Sequence, residues 1–268
     1  MTSVALIERQ TNSLRRTRAS TKTVNSSAPL MKRRFLSSIA FTAAVTLAAG
    51  PHLAFAEDGT YLNPQDIDLT KLLAPPPAPG SAEQRADLAR VLEVQRTRTP
   101  EQVARAIEDL QESVFRFTDV LGPSFNETNL PKTAALFAAA QHDAGLVAKG
   151  AKVYFKRPRP FVNNSEVHPT IPTVPKGYYG SYPSGHGTFG YMTAILLAQM
   201  VPEKRAELFV RGREFGENRV IDGVHYPSDL EASRIDGTLI ASAMMANPKF
   251  QQDFAAAKAE VRAALHLN

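Results

Sequence analysis

The chain has 268 residues, no cysteine, and 31 Lys plus Arg against 26 Asp plus Glu, for a formal charge of +5. The missing thiols exclude disulfides, thiolate metal sites and cysteine nucleophiles. Eight of the basic residues but only one acidic residue precede Glu57, leaving 23 against 25 beyond it, so residues 57–268 lack the basic bias of a nucleic-acid binder.

Residues 1–30, dominated by Ser, Thr, Asn and Arg, read as a disordered or untranslated leader. Met31-Lys32-Arg33-Arg34 is a positive start, Phe35 to Gly50 a short apolar run, and Ala54-Phe55-Ala56 a small-x-small cleavage site. That is the layout of a secretory signal peptide over residues 31–56, with Met31 as its start. The run is too short to cross a bilayer. A periplasmic or secreted chain beginning at Glu57 is expected, by the general or the twin-arginine export route. Its 212 residues suit one domain with a sizeable core. No segment of it approaches ~18 consecutive apolar residues, so no membrane span is expected.

Residues 57–80 are expected to form an extended arm, because Pro75-Pro76-Pro77-Ala78-Pro79 cannot be helical. Helical signals fill 81–268. Ser81 with Gln84 reads as a capping box, and Thr99-Pro100-Glu101-Gln102 as a second helix start. Val103, Ile107, Leu110, Val114, Phe117 and Leu121 recur at steps of four and three, which predicts one helix running to the Gly122-Pro123 stop. An Ala-rich helix follows from Pro131 to about Phe155, with Lys152 in its last turns. Residues 157–182 form a loop rich in Pro, Gly and Tyr. Further helices begin at Ser184, at Pro202, at Pro227 (to about Met245) and at Asn247-Pro248, with a turn at Asp222-Gly223. No β-type alternation of any length appears. The fold class is all-α: a single compact multi-helix domain with an extended Pro-rich N-terminal arm.

Three short stretches carry the chemistry: Lys152-(six residues)-Arg159-Pro160, Pro183-Ser184-Gly185-His186, and Arg219-(five residues)-His225-(three residues)-Asp229. A phosphoryl group in transfer carries charge on three oxygens, so its catalysis is mainly positioning and electrostatics. Arg159 and Arg219 have planar forks suited to phosphate oxygens, and Lys152 adds a point charge. Pro183-Ser184-Gly185-His186 opens a helix, whose free N–H groups and dipole favour an anion. Gly185 lets backbone approach closely, and Ser184 can donate its hydroxyl. Two histidines make sense if one is neutral to attack phosphorus and the other protonated to help the alcohol leave. His225 is the better nucleophile, since Asp229 four residues on can fix its tautomer. His186, beside the cradle, is then the acid.

In kind, order and spacing the three stretches resemble the active-site signature of the type 2 phosphatidic acid phosphatase and vanadium haloperoxidase superfamily. Within it the match is to the bacterial class A nonspecific acid phosphatases. The resemblance spans most of Pro75 to about Met245. It implies a secreted acid phosphatase acting on a broad range of phosphate monoesters, nucleotides among them, through a phosphohistidine on His225 with His186 as acid. No cofactor and no metal are expected, because the site carries its own cations and no cluster of Asp, Glu and His looks like a metal cage. Asn218 stands where the family usually has serine before the arginine, which puts any phosphate contact from that position in doubt.

The partners expected are small phosphate monoesters, with no nucleic acid polymer and no membrane span; a homo-oligomer stays open. His142, His168 and His266 fall outside the three stretches and read as structural or exposed. Tyr178, Tyr179 and Tyr182 read as a packed loop that could instead stack on a substrate, and Asp222 could tune either Arg219 or His225. Two other functions use the same residues: a vanadate-dependent haloperoxidase, since vanadate resembles a transferring phosphoryl group, and a phosphate-binding protein without turnover. The second leaves the His225–Asp229 pair without a purpose.

Overall fold

Side-chain caps and N-terminal prolines start most of the helices, and a computed structural model shows how they pack. It describes residues 58–173 and 180–268; the expected leader and signal peptide, and Tyr178 and Tyr179, lie outside the described residues. In chain order the helices are α1 (Leu69–Leu72), α2 (Ala82–Thr97), α3 (Pro100–Glu108), α4 (Thr118–Leu121), α5 (Pro131–Phe155), α6 (Pro160–Asn163), α7 (Gly185–Met200), α8 (Arg205–Ile221), α9 (Pro227–Ala246) and α10 (Pro248–Ala264). Short 3₁₀ turns occupy Val114–Phe117 and Pro202–Lys204. Among the described residues there is no β-strand, and no helix is long and apolar enough to cross a membrane.

Helix α7 is the centre. It is buried along most of its length and packs against α8, α9, α5 and α10. It crosses α8 at two glycines, where a Cβ on Gly190 would lie 2.1 Å from the Gly212 carbonyl oxygen. Only backbone-to-backbone contact fits there, and it sets the separation of the helices that carry His186 and Arg219. Phe189 of α7 meets Phe215 of α8 edge-on, and Phe117 stacks on the same ring. A second, smaller core of Val91, Val167, Val220 and Tyr226 seats α2 against the ends of α8 and α9.

The arm is tied down by Asp143 of α5. Its buried carboxylate accepts the backbone N–H groups of Thr60, Tyr61 and Leu62 at 2.8, 2.6 and 3.1 Å. Tyr61 also packs on Phe250 and donates its hydroxyl to Asp253, both in α10. In return Glu260 of α10 accepts the N–H groups of Lys132 and Thr133 at the start of α5, whose preceding Leu130 has no side chain to cap it. Pro160 starts a one-turn helix inside the expected loop, and residues 202–204 are 3₁₀ before α8 begins.

Two expectations fail in an instructive way. Ser81 does cap α2, but the Gln84 side chain does not turn back to it; its Oε1 accepts from Arg157 at 2.7 Å. The helix expected from Pro100 to Leu121 stops at Glu108. Asp109 turns inward instead and takes Arg211, Arg116 and Asn218 on its carboxylate, a buried charge cluster that outweighs the continuing apolar spacing. Residues 110–113 bend before the chain resumes as 3₁₀.

Candidate active site

The first turn of α7, the end of α8 with the turn to α9, the segment before α6 and the bend after α3 converge on one cavity of about 220 Å³. Arg159, His186, Arg219 and His225 line it with apolar Leu110, Phe161, Ile171, Pro172 and Val224. A larger cavity of about 390 Å³ lies behind Arg157 against the proline-rich arm, and no histidine lines it.

The Asp222-Gly223 turn, with Gly223 at φ +72°, ends α8 and brings His225 back beside Arg219. Pro227 then starts α9, whose first turn carries Asp229. His225 is buried, and its two ring nitrogens face groups of opposite kind. Nδ1 lies 3.1 Å from Asp229 Oδ2, an acceptor, and Nε2 lies 2.9 Å from Arg159 Nη1, a donor. Only a neutral ring protonated at Nδ1 satisfies both, which leaves the Nε2 lone pair on the cavity side. Burial, and then the cations Arg159 and Lys152, hold the His225 imidazolium well below its ordinary range.

Asp229 is itself held from four sides. Besides His225 it accepts Tyr226 N–H at 2.8 Å, the Ser181 hydroxyl at 2.6 Å and Arg157 Nη1 at 2.6 Å. Burial raises its carboxyl, and Arg157 is the largest opposing influence. Arg157 is buried and bridges Asp229 to Asp87, with further bonds to Ser228 and Gln84 and its guanidinium 4.2 Å over the Tyr226 ring. Lys156-Arg157-Pro158-Arg159-Pro160 holds two Arg-Pro pairs. The residue before a proline is held out of the helical region, so both arginines leave an extended backbone. Arg159 reaches the cavity, while Arg157 reaches the back of Asp229.

His186 has the complementary surroundings. Nδ1 lies 3.0 Å from Glu112 Oε1 and Nε2 3.3 Å from the Leu110 carbonyl oxygen. Both neighbours are acceptors, and only a doubly protonated ring donates to both. Burial pulls the His186 imidazolium down, while Glu112 and the Leu110 carbonyl hold it up. Glu112 and Leu110 belong to the bend where α3 breaks off. Gln141 of α5 fixes the other Glu112 oxygen at 2.7 Å.

Arg219 is buried, with Nη2 on the Ala106 carbonyl and Nη1 2.9 Å from Asp222. Its Nε is buried with no hydrogen-bond partner among the described residues. Asp222 thus belongs to Arg219 rather than to His225. Ser184 is buried as the cap of α7, its hydroxyl accepting Gly187 N–H, and Gly185 and His186 follow with N–H groups outside the helix ladder. Lys152 is brought near but not into the cavity. Its ammonium donates to the carbonyls of Gly180 and Pro183, bracing the entry to α7, and burial lowers it to about 8. Asn218 points away, to Asp109.

Residues 133–253 match the PAP2 superfamily. A Providencia stuartii protein named non-specific acid phosphatase is 32% identical over 233 residues, 84% of this chain and 93% of that protein. One of the same name from Salmonella typhimurium is 34% identical, covering 70% of this chain and 78% of its own. An acid phosphatase of Zymomonas mobilis is 29% identical, covering 86% and 91%.

Proposed function

Because this chain belongs to the PAP2 superfamily, among its non-specific acid phosphatases, and is a phosphoric monoester hydrolase, we propose that it works through a phosphohistidine on His225. One observation carries the assignment of roles: a donor and an acceptor around His225 suit a neutral ring, while two acceptors around His186 suit a charged one against the burial that draws its imidazolium down.

The phosphoryl group sits between Arg159, Arg219 and the first turn of α7, with Lys152 adding charge from beneath. Arg159 passes from the His225 ring to a phosphate oxygen as the substrate enters. His225 Nε2 then attacks phosphorus along the line Arg159 has left. The N–P bond forms as the ester P–O bond breaks, and that electron pair goes to the ester oxygen. His186 gives this oxygen its proton, so a neutral alcohol departs. Asp229 holds Nδ1–H and stabilises the charge that the ring acquires. In the second half, neutral His186 takes a proton from water as the water oxygen attacks phosphorus. The N–P bond breaks, its electrons return to His225, and phosphate leaves. No group of three or more His, Asp or Glu that could hold a metal occurs among the described residues, and the fixed cations suffice for the charge.

Among the described residues the walls beyond the phosphate subsite are mostly apolar, from Leu110, Phe161, Ile171, Pro172 and Val224, with Thr173 the polar exception. This favours a broad range of monoesters. Rate falls with rising pH as His186 loses its proton, and with falling pH as His225 gains one. Both imidazoles are held below 6.5, so the window lies on the acid side; its limbs belong to the coupled pair. Export follows from the Met31–Ala56 segment, and the N-terminal sequence of secreted protein checks it by beginning near Glu57.

The test is to quench the enzyme during turnover of 4-nitrophenyl phosphate under alkaline denaturing conditions, where the phosphoramidate survives, and to map the label. Phosphate on His225 is expected, with turnover unaffected by chelators. Label on His186 or a serine, or activity lost to chelator and restored by a divalent cation, overturns the mechanism.

A further inference from the structure

We propose that Glu112 is the positioning residue of the acid: with Gln141 behind it, it holds His186 Nδ1–H so that the ring stays protonated and Nε2–H can pass from the Leu110 carbonyl to the leaving oxygen. This rests on the phosphatase reading above. Glu112 lies in none of the three motif stretches, and the apolar spacing around it reads as uninterrupted helix.

The geometry is directional. Glu112 Oε1 lies 3.0 Å from His186 Nδ1, and Gln141 Nε2 donates to Oε2 at 2.7 Å, so the carboxylate is fixed on both oxygens. Its position comes from Asp109: the buried Asp109–Arg211 pair turns the chain inward, and the bend after it delivers the Leu110 carbonyl and Glu112 to the same ring. The charged groups that act on His186 come from separate elements: Glu112 from the bend, Arg219 from α8, and Arg159 from the segment before α6. Among these, Glu112 alone favours the charged ring. In the first half-reaction the Nε2 proton moves to the ester oxygen while Nδ1–H stays with Glu112. In the second the same ring, still held, accepts a proton from water at Nε2. The site is thus a pair of carboxylate–histidine couples, Asp229–His225 for attack and Glu112–His186 for proton transfer.

The experiment compares the full-length mature enzyme with Glu112→Gln, an isosteric change at a partly exposed side chain. Three readouts are taken: kcat on an alkyl phosphate (glycerol 2-phosphate), kcat on 4-nitrophenyl phosphate, and the pH profile. The alkyl substrate needs protonation of its leaving oxygen and the aryl substrate needs little, so a loss of about tenfold on the first and about twofold on the second is expected. The alkaline limb should move to lower pH. Equal losses on both substrates with an unmoved limb, or no loss, overturn the proposal. ¹⁵N-imidazole NMR titration follows His186 directly in wild type, Glu112→Gln and Gln141→Ala, so one unstable variant does not end the test. Its midpoint should fall most in Glu112→Gln and less in Gln141→Ala; an unchanged midpoint refutes the assignment. Wild type inactive on both esters would count against the phosphatase reading instead, while the titration would still decide the pairing.

Discussion

Replacing Arg157 by methionine should damage this protein twice, and the two effects can be read apart. The guanidinium is 4% exposed and sits between two buried carboxylates, at 2.7 Å from Asp87 and 2.6 Å from Asp229. Methionine fills much of the stem but leaves both carboxylates without their shared cation. Breaking a buried ion pair from one side costs about 3–5 kcal/mol. For a domain of this size, at about 2–4 °C per kcal/mol, the melting temperature should fall by roughly 6–20 °C. The second effect is chemical. Burial pushes the Asp229 carboxyl up, and Arg157 is its strongest opponent. Without Arg157, Asp229 takes up a proton at higher pH and stops acting as the anionic acceptor for His225 Nδ1. Activity should therefore drop most at the acid end, with the acid limb of kcat/KM displaced to higher pH. Arg157→Lys should fall between, since one ammonium cannot hold both carboxylates in the same geometry. Thermal unfolding by circular dichroism and a pH profile on 4-nitrophenyl phosphate below the melting range measure both. A melting temperature within about 2 °C of wild type, or a loss uniform in pH, would refute this account of Arg157.

Other consequences are as open to measurement. His186→Ala should keep more activity on aryl than on alkyl phosphates, whereas His225→Ala should lose both and form no phosphoenzyme; similar substrate profiles for the two variants would remove the division of roles. Asp236 of α9 is buried with one bond, from Thr188, and burial lifts its carboxyl from 3.8 to about 7. The folded chain keeps a proton there that the unfolded chain has lost, so this contribution to stability is full below pH ~4 and disappears as pH rises through about 7. Asp236→Asn should flatten the fall in melting temperature between pH 5 and pH 8; an unchanged slope would contradict the assignment. Gly190→Ala puts a methyl 2.1 Å from the Gly212 carbonyl oxygen, so α7 and α8 must part. Overpacking of this kind costs about 1–3 kcal/mol. Calorimetry should show it, with a matching drop in turnover as His186 moves from Arg219; a melting temperature equal to wild type would mean the crossing is not rigid.

What could be read from the sequence was local. Pro227, Pro248, Pro131 and the Thr99–Gln102 box each start a helix where residue chemistry requires one, and neighbouring side chains define the three motif stretches. What escaped depends on partners far along the chain. Asp109 ends α3 because Arg211, about a hundred residues on, makes a buried carboxylate stable there, and no local spacing announces that. Glu112 reaches His186 only because of that break. The two Arg-Pro pairs look equivalent on paper, and only the fold decides that Arg159 takes the cavity and Arg157 the back of Asp229. Lys152 belongs to the right neighbourhood, yet two carbonyls claim its ammonium.

The tie between the arm and α10 governs the order in which this protein can be completed. Tyr61 is made long before Phe250, Asp253 and Asn247, which pack on it or bond it from 186 to 192 residues further along. The start of α5 likewise waits for Glu260. A nascent chain stopped before α10 therefore carries an arm held by Asp143 but without its α10 contacts, and a long helix whose Lys132 and Thr133 N–H groups lack Glu260. Such products should be open to proteolysis until α10 is released and these contacts can close.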